Sequence, residues 1–170
     1  QEARSAGKMD YTSTQLTEFS ARLQLLPNPY YLEALRHDLA YAHEIFALVY
    51  EVGEPFFRGL FSSFLSSRRI WLCADSRCTQ VLRSLLHDFP NLHAGVWSPN
   101  AQLHIKALVL PSQSITYLGS HNLTQYSVGY GQNLTLRIDS QTFTDHMKNV
   151  VESYRRRSMP LTPLAPDEIP

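Results

Sequence analysis

Short apolar runs alternate with amphipathic segments through the first half of the chain. Three runs, over residues 45–50, 70–74 and 92–97, are almost continuously apolar, as in strands that are buried on both faces. Between them, residues 55–65 and 78–87 repeat apolar side chains at helical spacing. This alternation predicts an α/β fold, in which a central mixed sheet, partly parallel, is flanked by helices on both faces.

Two further helices are predicted ahead of the first of these strands. Apolar side chains recur at helical spacing over residues 14–26, and Pro27 ends that run. Asn28 is expected to cap the second helix, which has Pro29 in its first turn and continues to Ala42.

The pattern changes after Pro99. Strands are predicted over residues 104–110, 115–118 and 133–138, and the first two are close enough to form a hairpin. A polar loop or short helix precedes the third strand, and an amphipathic helix over residues 142–156 closes the series.

These elements are expected to form one domain over residues 14–158. Residues 1–13 are polar and are expected to be a disordered or tag-like terminus. Residues 159–170 are rich in proline, and we expect an extended tail or a linker to a further domain.

The charge balance restricts the binding partners that the protein can have. The chain has 15 Lys and Arg and 15 Asp and Glu, so its formal net charge is zero. Because proteins that bind the phosphate backbone strongly usually carry a basic excess, any basic surface here must be local.

Neither a membrane span nor a secretory leader is predicted. No apolar run reaches the length of a membrane-spanning helix, and no basic start followed by an apolar core resembles a signal peptide. Cys73 and Cys78 are too few for a disulfide scaffold and lack partners for a zinc site. We therefore expect reduced thiols in a cytoplasmic protein.

Two short motifs contain the functional groups that phosphodiester chemistry uses. In a strand, alternation would place His104 and Lys106 on one face. After the next strand, Gly119 permits close approach of the backbone to a ligand, and Ser120 and Asn122 add a hydroxyl and an amide. An imidazole attacks phosphorus or protonates a leaving oxygen, while ammonium and amide groups hold the non-bridging oxygens as charge develops.

His104-x-Lys106 followed by Gly119-Ser120-x-Asn122 resembles the signature of the phospholipase D superfamily. The resemblance extends over residues 29–157, and the order of elements upstream is similar to that of its small bacterial endonucleases with a single motif. It implies a phospholipase D-like fold and phosphodiesterase activity.

Two positions depart from the family pattern. Pro111 stands where the family has an Asp, and the segment that leads to Gly119 is one residue longer. Asn133 stands where the family has a Glu that orients a histidine. An amide oxygen can accept a hydrogen bond from an imidazole N–H but does not stabilise imidazolium by charge, so weakened catalysis is an open alternative.

The resemblance implies a mechanism that needs no metal or other cofactor. Single-motif chains of this size pair their motifs across a homodimer. One His104 would form a phosphohistidine, the same residue of a second copy would protonate the leaving oxygen, and water would then hydrolyse the intermediate. Lys106, Ser120, Asn122 and Asn133 complete the predicted catalytic set.

Other residues near the motifs are predicted to contact the substrate. Gly119 permits close approach, and Tyr126 and Tyr130 either stack on bases or pack internally. The arginines at 155–157 either contact phosphates or form a solvated helix end.

Nucleic acid is the predicted substrate, because lipid-cleaving members of the family are usually far longer and carry two motifs. DNA is favoured over RNA. A phospholipid-cleaving phosphodiesterase is one alternative. A nucleic-acid-binding or dimerisation module with reduced catalysis is another, and the neutral net charge together with Asn133 favours it.

Overall fold

In the computed structural model, which describes residues 17–98 and 100–170, eight strands form one mixed sheet. The strands are β1 (Arg22–Pro27), β2 (Glu44–Val49), β3 (Arg69–Ala74), β4 (Leu92–Val96), β5 (Ala107–Leu110), β6 (Ile115–Gly119), β7 (Leu134–Asp139) and β8 (Met159–Pro160). The helices are α1 (Tyr30–Leu39), α2 (Glu54–Leu65), α3 (Thr79–Asp88), α4 (Gln125–Gly129) and α5 (Gln141–Arg157). The strand order is β1-β7-β6-β5-β2-β3-β4-β8.

The sheet has a parallel centre and antiparallel flanks. Strands β2, β3 and β4 pair in parallel, because α2 and α3 return the chain to the same end of the sheet. The other pairings are antiparallel. Helices α1, α2 and α3 cover one face, with Phe57 and Leu85 in that core, and α5 covers the other through Met147 and Val151. This architecture confirms the predicted mixed sheet with helices on both faces.

The helix predicted over residues 14–26 is wrong for the part that the structure describes. Residues 22–27 form the edge strand β1, which pairs with β7 from Arg22 opposite Asp139 to Pro27 opposite Leu134. The backbone hydrogen bonds and packing that this segment gains along β7 stabilise a strand by more than its helical propensity stabilises a helix. Residues 17–21 are not helical either, whereas residues 14–16 of that helix and the terminus predicted to be disordered lie outside the described residues.

Asn28 does not cap α1. The helix begins at Tyr30 without a side-chain cap, and the Asn28 amide donates instead to the carbonyl oxygens of Ser127 (3.1 Å) and Gly131 (2.8 Å). This side chain therefore ties the start of α1 to the segment around α4, which the local sequence pattern does not reveal.

The predicted strand 104–110 is shorter in the structure. Strand β5 begins at Ala107, so His104 and Lys106 lie in the segment just before it. Pro111 opens a short turn between β5 and β6, and Ser114 closes it in the left-handed region at φ 58°.

The proline-rich segment lies against the domain in the structure. Strand β8 pairs with β4, and the Leu161 N–H donates to the Ala94 carbonyl at 2.9 Å. Arg83 forms a bidentate pair with Glu168 at 2.9 and 3.0 Å. These contacts cover part of the β4 edge, which would otherwise present unpaired backbone groups.

A buried ion pair joins α1 to the sheet. The Asp38 carboxylate, whose side chain is 4% exposed, accepts hydrogen bonds from Arg137 Nε at 2.7 Å and Nη2 at 3.0 Å. The Tyr117 hydroxyl also donates to Asp38. Burial and the Asp38 contact raise the pKa of Tyr117, and the hydrogen bonds to Asp38 raise the pKa of Arg137. The phenol of Tyr117 therefore stays neutral and the Arg137 guanidinium stays charged where they meet the Asp38 side chain.

Candidate active site

His104 and Lys106 meet at the end of the sheet where the parallel strands terminate. Lys106 Nζ lies 2.9 Å from His104 Nδ1 and 3.3 Å from Nε2. The imidazole is exposed, whereas Lys106 is 9% exposed, and burial lowers the pKa of its ammonium group. An exposed imidazole is thus backed by a largely buried cationic donor.

Backbone contacts hold this segment in place without a strand ladder. The Leu103 N–H donates to Asp75 Oδ1 at 2.9 Å, and the Gly119 N–H donates to the Lys106 carbonyl at 3.2 Å. Asp75 follows β3 and Gly119 ends β6. The two motifs are therefore joined directly through the backbone of Lys106.

Tyr50, which follows β2, forms a wall of the site that sequence analysis missed. Its ring centre is 4.8 Å from that of His104 and 5.5 Å from Lys106 Nζ. Arg77 Cζ lies 4.2 Å from the same ring, and Gln102 donates to the Tyr50 hydroxyl at 2.9 Å. Ligands commonly bind beyond the carboxyl ends of parallel strands. Tyr50 and Arg77 follow two such strands, so their positions in the sequence could have identified them as residues of the site.

The Gly119-Ser120 turn packs tightly against β7. A Cβ atom on Gly119 would lie 2.4 Å from the Leu134 carbonyl oxygen, so no other residue fits there without movement of the backbone. Ser120 Oγ accepts from the Leu134 N–H at 2.9 Å and donates to the Leu134 carbonyl at 3.2 Å. Ser120 is thus engaged in fixing the turn.

Asn122 is placed next to the Tyr50 wall. Its Oδ1 accepts the backbone N–H of Glu51 at 3.1 Å, and its own N–H donates to Ser127 Oγ at 2.7 Å. No partner of the Asn122 NH₂ group is found among residues 17–98 and 100–170. That group is therefore available as a donor to a ligand.

Asn133 does not contact the imidazole in the structure. Its NH₂ group donates to the Ser127 carbonyl at 3.0 Å, and within the described residues no hydrogen bond joins it to His104. Ser127, another residue that sequence analysis missed, thus binds Asn122, Asn133 and Asn28 at once. The catalytic role assigned to Asn133 stays a prediction, and its contacts are those of a brace for the loop.

His121, between the two polar residues of the second motif, is 3% exposed. Its ring stacks on Tyr31 at 4.0 Å, Nδ1 lies 2.7 Å from Thr135 Oγ1, and Nε2 contacts Asn28 Oδ1. Because Asn28 Oδ1 only accepts, Nε2 carries the proton and Thr135 donates to Nδ1. Burial lowers the pKa of His121 to about 4, so the ring is neutral near pH 7.

This burial predicts a pH dependence of folding. An unfolded histidine titrates near pH 6.5, so between about pH 6.5 and 4 the unfolded chain binds more protons than the folded one. The stability contributed by neutral His121 is present above pH 6.5 and is lost as the pH falls towards 4, by about 3 kcal/mol. Urea unfolding of the wild type and of His121→Gln should show their difference in free energy shrinking by that amount between pH 7 and 4. A constant difference would contradict the assignment.

Tyr126 and Tyr130 are 70% and 75% exposed. Tyr126 lies in α4 and Tyr130 follows its last residue, and the N-cap Thr124 of this helix accepts the Ser127 N–H at 3.1 Å. Their exposure argues against internal packing as their role, and both rings remain accessible for stacking.

Together these groups can act on a phosphodiester. His104 offers an accessible nitrogen, and Lys106, the Asn122 NH₂ group and Arg77 offer donors for non-bridging oxygens. The part of the chain that the structure describes shows no cluster of three or more His, Cys, Asp or Glu arranged for a metal ion. The same residues include no helix long and apolar enough to cross a membrane.

Known proteins resemble this chain in structure but not in sequence. No protein-family model matches the chain, and no curated protein matches its sequence. The fold is similar to NucT from Helicobacter pylori, with a TM-score of 0.69 and 15% identity over 84% of this chain and 100% of that chain. It is also similar to Nuc from Salmonella typhimurium, a phospholipase D family member, with a TM-score of 0.71 and 11% identity over 84% and 99% of the two chains.

A third similar structure is TrmBL2, an archaeal chromatin protein described as showing a novel mode of DNA binding. Its TM-score is 0.60 at 10% identity, over 86% of this chain and 56% of that chain. At such identities the likeness concerns the fold, and it confirms the phospholipase D-like fold predicted from the two motifs.

Proposed function

We propose that this chain, which has a phospholipase D-like fold, is a phosphodiesterase that cleaves nucleic acid through a phosphohistidine on His104. The observation that carries the proposal is the contact of 2.9 Å between the exposed His104 imidazole and the Lys106 ammonium group, at the carboxyl ends of the parallel strands. Exposure gives the imidazole access to a substrate, and the adjacent cation attracts a phosphate group.

The reaction follows from the positions of these groups. A nitrogen of His104 attacks phosphorus, so an N–P bond forms while the bond to the leaving oxygen breaks. Lys106 and the Asn122 NH₂ group stabilise the charge on the non-bridging oxygens. In the second step water attacks phosphorus and gives its proton to the imidazole that protonated the leaving oxygen, the N–P bond breaks, and the free His104 is restored. Lys106 donates to a nitrogen of the free ring, so a phosphate oxygen that draws Lys106 away frees that nitrogen to react.

Nucleic acid fits the surroundings of the site better than a small phosphodiester does. Tyr126 and Tyr130 expose their rings near the second motif, where bases could stack. Arg77, whose side chain is 50% exposed although its Nε lies 3.7 Å from Asp75 Oδ2, adds guanidinium donors beside the site that the neutral net charge of the chain does not reveal. The likeness to TrmBL2 is consistent with this substrate class.

The leaving oxygen needs an acid opposite the attacking nitrogen, and a second copy of the chain would supply it from its own His104. An exposed apolar surface supports a homodimer: Leu23 and Leu25 on β1 are 59% and 61% exposed, and Leu134 on β7 is 46% exposed. Leu134 also binds Ser120 through its backbone, so this surface continues to the site. Its burial by a second copy would remove apolar area from water and bring the two sites together.

The proposal is tested by incubating the protein with labelled single-stranded and double-stranded DNA and RNA, with EDTA present. We expect cleavage of at least one of these polymers in spite of the EDTA, because the proposed donors are side chains of the protein. DNA is expected to be cleaved before RNA. Intact polymers after prolonged incubation, alongside a phosphodiesterase that cleaves them in the same buffer, would contradict it.

A nucleic-acid-binding module without catalysis is the second candidate. The observation that favours it is the contact of Asn133 with Ser127, which leaves the imidazole without a carboxylate at the position where the family has a Glu. Binding of the same polymers without cleavage would distinguish this function from the first.

A further inference from the structure

A second cleft lies at the β4 edge of the sheet, between the end of α3 and the last turn of α5. Its volume is about 460 Å³, and its lining includes Trp71, His93, Arg155 and Arg156. The proposed reaction uses none of these side chains.

Trp71 and His93, at one end of an aromatic row across the sheet, form the floor of this cleft. Phe46, Trp71 and His93 occupy paired positions on β2, β3 and β4, so their rings follow one another across the sheet. The rings of Trp71 and His93 stack at 4.1 Å with 17° between their planes. Arg155 Cζ lies 4.7 Å from the Trp71 ring centre, an arrangement that leaves guanidinium N–H groups at its edge free to donate.

Within the described residues, Arg155 and Arg156 lack a close carboxylate partner, and the Glu44 carboxylate beside the cleft accepts from Trp71 Nε1 at 3.3 Å. Arg155 Nε is buried and has no hydrogen-bond partner among the described residues, and Arg156 reaches Glu152 only at 4.0 Å. Burial, with Arg69 and Arg155 nearby, lowers the pKa of His93, as expected where cations crowd a neutral ring. An anion would supply the exposed Arg156 with a closer acceptor, and it would reach the buried Nε of Arg155 after a movement of the side chain.

The end of α5 does not oppose an anion strongly. The carbonyl of Arg155 is capped twice by Ser158, through its N–H at 3.2 Å and its hydroxyl at 2.6 Å. A helix C-terminus carries partial negative charge on unpaired carbonyls, and the two hydrogen bonds reduce that charge at this position.

The last turns of α5 also connect this cleft to His104. Tyr154 lies beside Trp97, with ring centres 4.8 Å apart, and both side chains line a pocket that includes His104. Arg157 Cζ lies 5.3 Å from the Trp97 ring centre. Cations paired with aromatic rings thus continue from the site around the end of the helix.

We propose that the cleft is a second phosphate-binding site, which takes a phosphate of a nucleic-acid strand whose scissile phosphodiester lies at His104. The inference rests on the proposed function, because that function supplies the polymer. A strand carries a phosphate at every nucleotide and can occupy both places at once. A phospholipid with a single phosphodiester cannot, and this difference favours nucleic acid as the occupant.

The test measures binding of a fluorescein-labelled single-stranded 20-nucleotide oligothymidylate to proteins carrying His104→Ala, at several salt concentrations. The test variant adds Arg155→Met and Arg156→Gln. The matched control adds Arg22→Gln and Arg36→Gln, which remove two exposed charges elsewhere. We expect the test variant to bind about tenfold more weakly, and its slope of log affinity against log salt to fall by about 1.4 for two fewer phosphate contacts. The control should change far less.

Two additional measurements make the outcome specific. With His104 intact, hydrolysis of bis(p-nitrophenyl) phosphate, which carries one phosphate, should stay within about twofold of wild type in the test variant, because Arg155 and Arg156 bind a second phosphate that this substrate does not have. Arg156→Gln alone, at an exposed position, should give part of the reduction in affinity without disturbing the Trp71 contact. Equal affinities and salt slopes in the test and control variants would overturn the proposal.

Failure of the proposed function would look different. The wild type could hydrolyse no phosphodiester while the test variant, unlike the control, still shows a smaller slope of log affinity against log salt. That result would support phosphate binding in the cleft and contradict the proposed catalysis. If the protein ignores the oligonucleotide but sediments with vesicles of phosphatidylglycerol and phosphatidylcholine through Arg155 and Arg156, the occupant is a lipid surface and the proposal is wrong.

Discussion

Replacing His104 with alanine is expected to lower nucleic-acid hydrolysis by at least about 10³-fold, because the proposed covalent intermediate and the proton transfer both depend on its imidazole. Affinity for a labelled oligonucleotide should change little, since Lys106 and Arg77 still provide the positive charge. The measurement is initial rate under substrate saturation, beside equilibrium binding. His43→Ala, at an exposed histidine before β2, is the matched control and should retain wild-type rates.

Mixing wild-type and His104→Ala protein tests whether two copies of His104 form one catalytic centre across a dimer. If each catalytic centre needs one imidazole from each copy, a heterodimer of wild-type and His104→Ala chains is impaired at its shared centre. Activity of a subunit-exchanged mixture should then fall below the value expected from the wild-type fraction. Strict proportionality to that fraction, or full activity of a monomer shown by sedimentation, would contradict the dimeric centre while leaving the role of His104 intact.

Arg137→Met is expected to destabilise the fold by about 3 to 5 kcal/mol, because it leaves the Asp38 carboxylate buried without its counterion. Methionine retains much of the volume, so the loss of charge dominates the effect. Urea unfolding at pH 7 measures the change. Arg36→Met, on the exposed side of α1, should stay within about 0.5 kcal/mol of wild type.

A second substitution, at Asp38, separates the effect of the unpaired charge on stability from the effect of packing. In Asp38→Leu combined with Arg137→Met, both charges are gone, so the double variant should be more stable than Arg137→Met alone. A double variant as unstable as the sum of its parts would mean that shape, rather than charge, sets the stability of this cluster.

Several features of the protein follow from the sequence alone, because each depends on residues that are close along the chain. The apolar runs of β2, β3 and β4 with helical segments between them predict the parallel centre of the sheet, since a crossover of that length returns the strand in parallel. His104 and Lys106 are two residues apart, and Lys106 Nζ lies 2.9 Å from His104 Nδ1, although both residues precede β5 and the predicted strand alternation does not hold there.

Other features depend on pairings across long stretches of chain. The segment that contains β1 has apolar residues at a spacing that fits a helix, and it becomes a strand because β7 offers it an unpaired edge. Asn28 has the local sequence of a helix cap, and its amide instead reaches carbonyls that are about a hundred residues away along the chain. Local propensities are worth less than these tertiary contacts.

The composition of the candidate site was likewise decided by the tertiary structure. Tyr50 and Arg77 come from different strand ends, and the order β5-β2-β3 in the sheet brings Tyr50 beside His104 and Arg77 onto the Tyr50 ring. Asn133, placed by sequence spacing near the imidazole, donates instead to the Ser127 carbonyl, which also accepts from Asn28, so a side-chain network between distant segments sets its orientation. The sequence by itself determined which chemical groups the protein carries and the core of its sheet, whereas long-range packing and the need to satisfy buried polar groups decided which of them meet.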